Sequence, residues 1–237
     1  CPQRPRDETR RAQLVLGQSE PRMAGAGAAA QKKDGQAVSG DTGAWFKHDD
    51  GSLYVLLCDG MGSGAPAQRE STLAVRLLEQ FLRAGVRPEN ALRTLNSALA
   101  LRNDEAAGGF TTIDLLRVDL FTGEAWVYKY GAAPTYVKKG AAVSRITGAA
   151  LPAGLTSGDG AAPDTPSLHL ESGDCVLLVT DGVAGGEGDQ WIRDKLAAFN
   201  GGSPRELAQA ILDESTAQVG AAADDRTVLA LRLTRRA

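Results

Sequence analysis

Long hydrophobic runs are missing from this sequence: nothing approaches the roughly 18 apolar residues that a membrane-spanning helix needs, so no transmembrane helix is expected. A basic excess is missing too. Lys and Arg number 26 against 29 Asp and Glu, a net charge of −3, and no basic stripe runs along the chain. Nucleic-acid affinity comes from phosphate neutralisation, so this balance excludes a dedicated nucleic-acid binder. The three cysteines, Cys1, Cys58 and Cys175, are an odd number without a Cys-x-x-Cys spacing, which excludes a disulfide framework and a structural zinc site. Cys58 and Cys175 read as buried thiols in a reducing compartment. Aromatics are scarce (5 Phe, 3 Trp, 4 Tyr) beside 38 Ala and 28 Gly, so the core is expected to rest on close backbone approaches. An initiator Met and a signal-peptide pattern are both lacking, and the charged opening reads as part of a longer protein.

What is present is a regular series of apolar strands and amphipathic helices. Residues 1–21 read as an incoming linker with a short helix over 7–16, and residues 22–237 as one domain. A small-residue strand is expected over 23–30. Segments 44–46 and 53–58 flank Asp49-Asp50-Gly51 and predict a hairpin; its second strand is continuously apolar, as in a strand buried on both faces. Helical spacing covers 66–82 up to Gly85, and Arg87-Pro88 opens a second helix with Leu92, Leu95, Leu99 and Leu101 on one face. Segments 111–120 and 124–130 predict another hairpin, with Trp126, Tyr128 and Tyr130 sharing a face. Segments 136–138 and 143–146 read as continuing that meander, with Lys138-Lys139 at a solvated tip, and 154–166 as a surface loop. A second buried strand, 175–179, precedes helices over 191–199 and 204–219, the latter capped by Ser203, and a last strand over 227–233. Antiparallel hairpins and paired helices give an α+β class rather than βαβ alternation.

Two of these buried strands deliver an aspartate followed by glycine: Leu56-Leu57-Cys58-Asp59-Gly60 and Leu178-Val179-Thr180-Asp181-Gly182. One Asp-Gly is a common turn. Two on buried strands are not explained that way, least of all with Asp41 in Ser39-Gly40-Asp41 and Asp224-Asp225 at two further loop-to-strand boundaries. A carboxylate at the mouth of a buried strand loses water at a cost of several kcal/mol unless it is paired or coordinated. The glycine after each aspartate is expected to turn the chain sharply, and Gly60 to let its carbonyl approach an ion. Oxygen ligands suit magnesium or manganese, and with only His48 and His169 zinc is poorly served. Gly60-Met61-Gly62-Ser63-Gly64 has no following Lys and so is no P-loop; Met61 stands where a nucleophile elbow needs glycine.

Taken in order, Ser39-Gly40-Asp41, Asp59-Gly60-Met61-Gly62-Ser63-Gly64, Gly131-Ala132-Ala133-Pro134, Thr180-Asp181-Gly182 and Asp224-Asp225-Arg226-Thr227-Val228 resemble the C-terminal phosphatase domain of the bacterial stage II sporulation protein E family. That family is a branch of the PP2C-type, metal-dependent serine/threonine phosphatases. The resemblance covers residues 23–233. It implies a four-layer α-β-β-α sandwich of two antiparallel sheets with two Mn(2+) or Mg(2+) ions at one end. By motif, Asp59 bridges the ions and the Gly60 carbonyl is a further ligand. Asp181 and Asp224 are terminal ligands of one ion, and Asp41 serves the other. Asp225 falls where many relatives carry Asn, so Asp224 takes precedence over it. In such a site a water shared by ions roughly 3.5–4 Å apart loses its proton near neutral pH and attacks phosphorus in line, with no phosphoenzyme.

The same resemblance implies a substrate, the phosphoserine of an anti-anti-sigma factor whose dephosphorylation activates a sporulation sigma factor. It also implies upstream membrane and regulatory regions, a contact with a division protein and a place on the cytoplasmic face of the division septum. Two alternatives stay open: a partner-activated stress-response phosphatase of the same family, and a silent phosphoprotein-binding module, against which the presence of Asp41, Asp59, Asp181 and Asp224 argues. The chain departs from eukaryotic relatives in having Gly40 where they carry Glu, and no Arg between Met23 and Asp41 to contact phosphate. Gly131-Ala132 replaces their third-metal Gly-Asp, so two ions are expected.

Overall fold

The computed structural model describes residues 19–105, 109–156, 162–185, 188–219 and 222–236, so the helix expected over 7–16 lies outside the described residues. In chain order the elements are β1 (Arg22–Gln31), β2 (Asp41–Lys47), β3 (Ser52–Asp59), α1 (Gly64–Arg83), α2 (Pro88–Glu105), β4 (Ile113–Asp119), β5 (Glu124–Tyr130), β6 (Thr135–Lys139), β7 (Ala142–Ile146), β8 (Ser167–His169), β9 (Cys175–Val179), α3 (Asp181–Ala184), α4 (Gln190–Ala198), α5 (Pro204–Val219) and β10 (Arg226–Arg235). They form two five-stranded sheets, β1-β10-β9-β6-β7 and β2-β3-β4-β5-β8. Every pairing within them is antiparallel.

Side-chain alternation sorts the core into three layers of contact. Leu56 and Tyr54 of β3, with Tyr128 and Tyr130 of β5, pack on Leu78 and Leu82 of α1 and Leu92 and Leu95 of α2. Their strand neighbours Val55 and Leu57 face Val176, Leu178 and Leu229 across the gap between the sheets. Leu177 and Val179 face the opposite way, onto Ile192 and Leu196 of α4 and Leu207 and Ile211 of α5. The order is therefore helices, sheet, sheet, helices. Strands β3 and β9 read as unbroken apolar runs because each is covered on both faces, once by the other sheet and once by helices. A capping box starts α5: Ser203 Oγ accepts the Glu206 N–H at 3.2 Å, and Glu206 Oε2 accepts the Ser203 N–H at 2.7 Å.

Two expectations need correction. The β6–β7 hairpin does not continue the β4–β5 meander: β6 pairs with β9 and so belongs to the other sheet. Lys138 is no solvated tip. It is 5 % exposed, and its Nζ donates to the Ala197 and Phe199 carbonyls, satisfying acceptors left open at the C-terminal end of α4. The 154–166 loop is tied to the sheet by antiparallel bridging between Lys129 and Asp164, and it leads directly into β8. The short helix α3 was not foreseen.

Candidate active site

The carboxylates come from both sheets. Asp41 opens β2 and Asp59 closes β3, and the two are direct cross-strand partners, so both side chains project from the same face of the ladder. Like charges placed directly opposite each other destabilise a sheet. Asp181 is the first residue of α3, immediately beyond β9, and Asp224 lies just before β10. Asp59, Asp181 and Asp224 line an open groove of about 260 Å³, together with Gly60, Met61, Phe110 and Pro152.

Neither Asp-Gly glycine adopts a positive φ; both are needed for close approach instead. A Cβ on Gly60 would sit 2.0 Å from the Ala67 carbonyl oxygen of α1, and one on Gly182 would sit 2.0 Å from the Asp225 carbonyl oxygen. Each glycine thus lets a second backbone pass beside the aspartate it follows. Gly40 has a related constraint: a Cβ there would lie 2.8 Å from that of Ala67, which leaves no room for the Glu of eukaryotic relatives.

Threonines hold these aspartates. The Asp59 N–H donates to Thr112 Oγ1 at 3.0 Å, and Thr111 Oγ1 donates to the Asp59 carbonyl at 2.6 Å. Thr180 Oγ1 donates to Asp41 Oδ2 at 3.0 Å and accepts the Thr227 N–H at 2.9 Å. Thr180 thereby ties β9 and β10 to the first residue of β2 in the opposite sheet. None of these hydroxyls was singled out from sequence. Thr111-Thr112 at a strand start and Thr180 before an aspartate were the available signals.

Burial pushes the Asp59 carboxyl up to about 8, and the neighbouring charges of Asp41, Asp181 and Asp224 add to the rise. Burial also lifts Asp41, to about 6, against the nearby hydroxyls of Thr227 and Thr180. Asp41 Oδ1 is nevertheless buried without a hydrogen-bond partner among the described residues. Asp181 is open to the groove on one side. Partial removal from water raises its carboxyl, and the charge of Asp224 raises it further. The strongest charges acting on Asp59 are all negative, so a cation from solution would neutralise it.

Asp225 sits elsewhere. Its carboxylate accepts the Lys33 N–H on one oxygen and the Gly40 N–H on the other, both at 2.7 Å, and so holds the loop leading to Asp41. His48 and His169 form surface pairs with Asp50 and Glu124, each at 3.0 Å. Cys58 and Cys175 are buried and unpaired, and burial raises both thiols. Among the described residues no three His, Cys, Asp or Glu side chains close on a single point. Asp59, Asp181 and Asp224 instead line the groove, and Asp41, opposite Asp59 on the ladder, carries a partnerless oxygen; an oxygen-only set of this kind fits hard divalent ions.

A sequence profile of the family described as stage II sporulation protein E (SpoIIE) matches residues 49–234. The stage II sporulation protein E of Bacillus subtilis (strain 168) is 29 % identical over 226 residues, which are 93 % of this chain and 27 % of that protein. Its counterpart in Priestia megaterium is 31 % identical over 214 residues, which are 87 % of this chain and 36 % of that protein. The chain thus spans about a quarter to a third of the curated relatives it matches. A solved structure of the PP2C phosphatase domain, with a fragment of the regulatory domain, of SpoIIE from Bacillus subtilis superposes with a TM-score of 0.82 at 29 % identity, over 91 % of this chain and 64 % of that one. The fold agrees with these matches, and the chain belongs to the stage II sporulation protein E family, of which it carries the PP2C-type phosphatase domain.

Proposed function

We propose that this domain hydrolyses the phosphoserine monoester of a protein of the anti-anti-sigma type, using two Mn(2+) or Mg(2+) ions held by Asp41, Asp59, the Gly60 carbonyl, Asp181 and Asp224. The observation that carries the proposal is the Asp41–Asp59 pair, two half-buried carboxylates held directly opposite with one oxygen unpartnered. When bound, two such ions supply an acidified water and positive charge at the phosphoryl oxygens. The protein's part is to fix the carboxylates: threonine hydroxyls orient Asp41 and anchor the backbone of Asp59, and the Gly60 and Gly182 contacts set the depth at which Asp59 and Asp181 stand. Asp225 is assigned to holding the 32–40 loop rather than to an ion.

The groove supports a protein substrate. Met61, Phe110 and Pro152 give it apolar walls beside the carboxylates, which suit side chains flanking a phosphoserine better than free phosphate alone. Release of a sporulation sigma factor, attachment to a membrane, a place on the cytoplasmic face of the division septum and contact with a division protein are proposed on family membership alone. Among the described residues no helix is long and apolar enough to cross a membrane.

The test is manganese-dependent hydrolysis of para-nitrophenyl phosphate and of a phosphoserine anti-anti-sigma protein by the wild type and Asp181→Asn. Turnover that rises with Mn(2+) and is lost in the variant is expected, with preference for the protein substrate. A folded wild type without turnover at any metal concentration overturns the proposal in favour of a silent phosphoprotein-binding module.

A further inference from the structure

Between the two sheets, a charged pair occupies a place where the rest of the inward row is apolar. Asp114 of β4 and Lys129 of β5 are direct cross-strand partners, on the face that also carries Leu116, Val118 and Val127. They are 1 % and 0 % exposed. Lys129 Nζ donates to Asp114 Oδ2 at 2.7 Å and to Thr135 Oγ1 at 2.8 Å, and Thr135 Oγ1 donates to Asp114 Oδ2 at 2.6 Å. Thr135 belongs to β6, so the cluster joins one sheet to the other. Stability does not explain it. A buried ion pair gives back little more than its desolvation cost, and packed apolar side chains in its place hold a core as well or better.

Two details point from this cluster to the carboxylates above it. Asp114 Oδ1 is buried and has no hydrogen-bond partner among the described residues. Asp114 also lines a small cavity of about 20 Å³ whose other polar walls are Asp59, Thr112, Thr180 and Asp181. A space above roughly 10–15 Å³ with two to four polar partners suits one water molecule. A buried carboxylate oxygen wants a donor, and Asp59 and Asp181 line the same cavity as further acceptors.

We propose that Asp114, locked by Lys129 and Thr135, is a positioning residue for the active-site carboxylates. It acts through one internal water that donates one hydrogen to Asp114 Oδ1 and the other to Asp59 or Asp181. The water sets the carboxylate's orientation from below, as Thr112 and Thr111 set its backbone from the side. This inference rests on the divalent-metal reading of the site.

The test replaces the whole cluster, Asp114→Leu/Lys129→Met/Thr135→Val, so that no charge or hydroxyl is left buried alone. Three measurements are made: Mn(2+) binding by calorimetry, thermal unfolding in EDTA, and a high-resolution structure of the wild type with Mn(2+). The variant is expected to unfold within a few degrees of the wild type yet bind Mn(2+) at least tenfold more weakly, and the wild-type density is expected to show the water. Wild-type affinity in the folded variant, or a cavity without density, overturns the inference. If the triple variant does not fold, Thr135→Val alone, which keeps the ion pair, decides: weaker Mn(2+) binding at an unchanged unfolding midpoint supports the inference, and unchanged binding overturns it. A wild type that binds no Mn(2+) removes instead the metal reading beneath it.

Discussion

Asp224 and Asp225 adjoin in sequence but differ in what they hold, and replacing each by alanine should separate them. Asp225 is 4 % exposed, and its two oxygens accept the Lys33 and Gly40 N–H groups at 2.7 Å each. A hydrogen bond to a charged acceptor contributes about 1.5–3 kcal/mol, and the Gly40 N–H is buried against Ala67, where water cannot replace the lost partner. Losing both bonds in Asp225→Ala should therefore cost about 3–5 kcal/mol, and relief of repulsion on Asp41 places the result toward the lower figure. For a domain of this size that is roughly 6–20 °C in Tm. Asp224 is exposed at the groove, accepts the Asp225 N–H at 2.9 Å, and repels Asp59 and Asp181. Asp224→Ala should leave stability in EDTA within about 1 kcal/mol of the wild type while weakening Mn(2+) binding. Urea unfolding in EDTA and calorimetric Mn(2+) titration of both variants read the two effects. An Asp225→Ala domain that unfolds at the wild-type midpoint, or an Asp224→Ala domain destabilised as much as Asp225→Ala, would refute the assignment.

Two further outcomes follow from the same geometry. In EDTA the domain should lose stability as pH rises from about 4 to about 8, because Asp59 and Asp41 keep protons in the folded state that the unfolded chain has already released. That contribution is complete below the ordinary carboxyl value and gone once pH passes the folded one. Asp59→Asn should flatten the slope and raise the unfolding midpoint near pH 8, and a slope that persists in the variant counts against the repulsion among these groups. Gly182→Ala would put a methyl 2.0 Å from the Asp225 carbonyl oxygen, backbone that cannot swing aside. A loss of about 1–3 kcal/mol is expected in urea unfolding, and a variant as stable as the wild type would show that the approach is not as close as described.

What could be read from the sequence follows how local each cause is. Strands β3 and β9 were legible because burial on both faces writes an unbroken apolar run, and the aspartates ending them stand out against it. The sheet to which β6–β7 belongs was not legible, because a hairpin's own pattern is the same whichever strand its edge meets, and its partner β9 lies about 40 residues on. Lys138 misled for a similar reason: Lys-Lys-Gly reads as a tip until the open carbonyls of α4, some 60 residues away, are brought over it. Asp224-Asp225 supplies two carboxylates, and which one turns inward depends on the N–H groups of a loop near the other end of the chain. Asp114 and Lys129 did carry a signal. Each sits in an inward-facing row that is otherwise apolar, Asp114 with Leu116 and Val118, and Lys129 with Val127.

The abundance of glycine and alanine and the excess of negative charge meet at one place in the fold. Asp41 and Asp59 come from one sheet, Asp181 and Asp224 from the margin of the other, and they converge only because Gly60 lets α1 and Gly182 lets the Asp225 backbone pass at contact distance. Burial and the mutual repulsion of these carboxylates raise the affinity of Asp59 and Asp181 for protons. The same crowding bars the substrate. A phosphomonoester dianion entering the groove meets Asp59, Asp181 and Asp224, and the expected phosphate-binding arginine is missing from the stretch between Met23 and Asp41. On the proposed phosphatase reading, divalent cations are needed for the phosphate to approach, before any chemistry, and KM as well as kcat is expected to depend on their concentration.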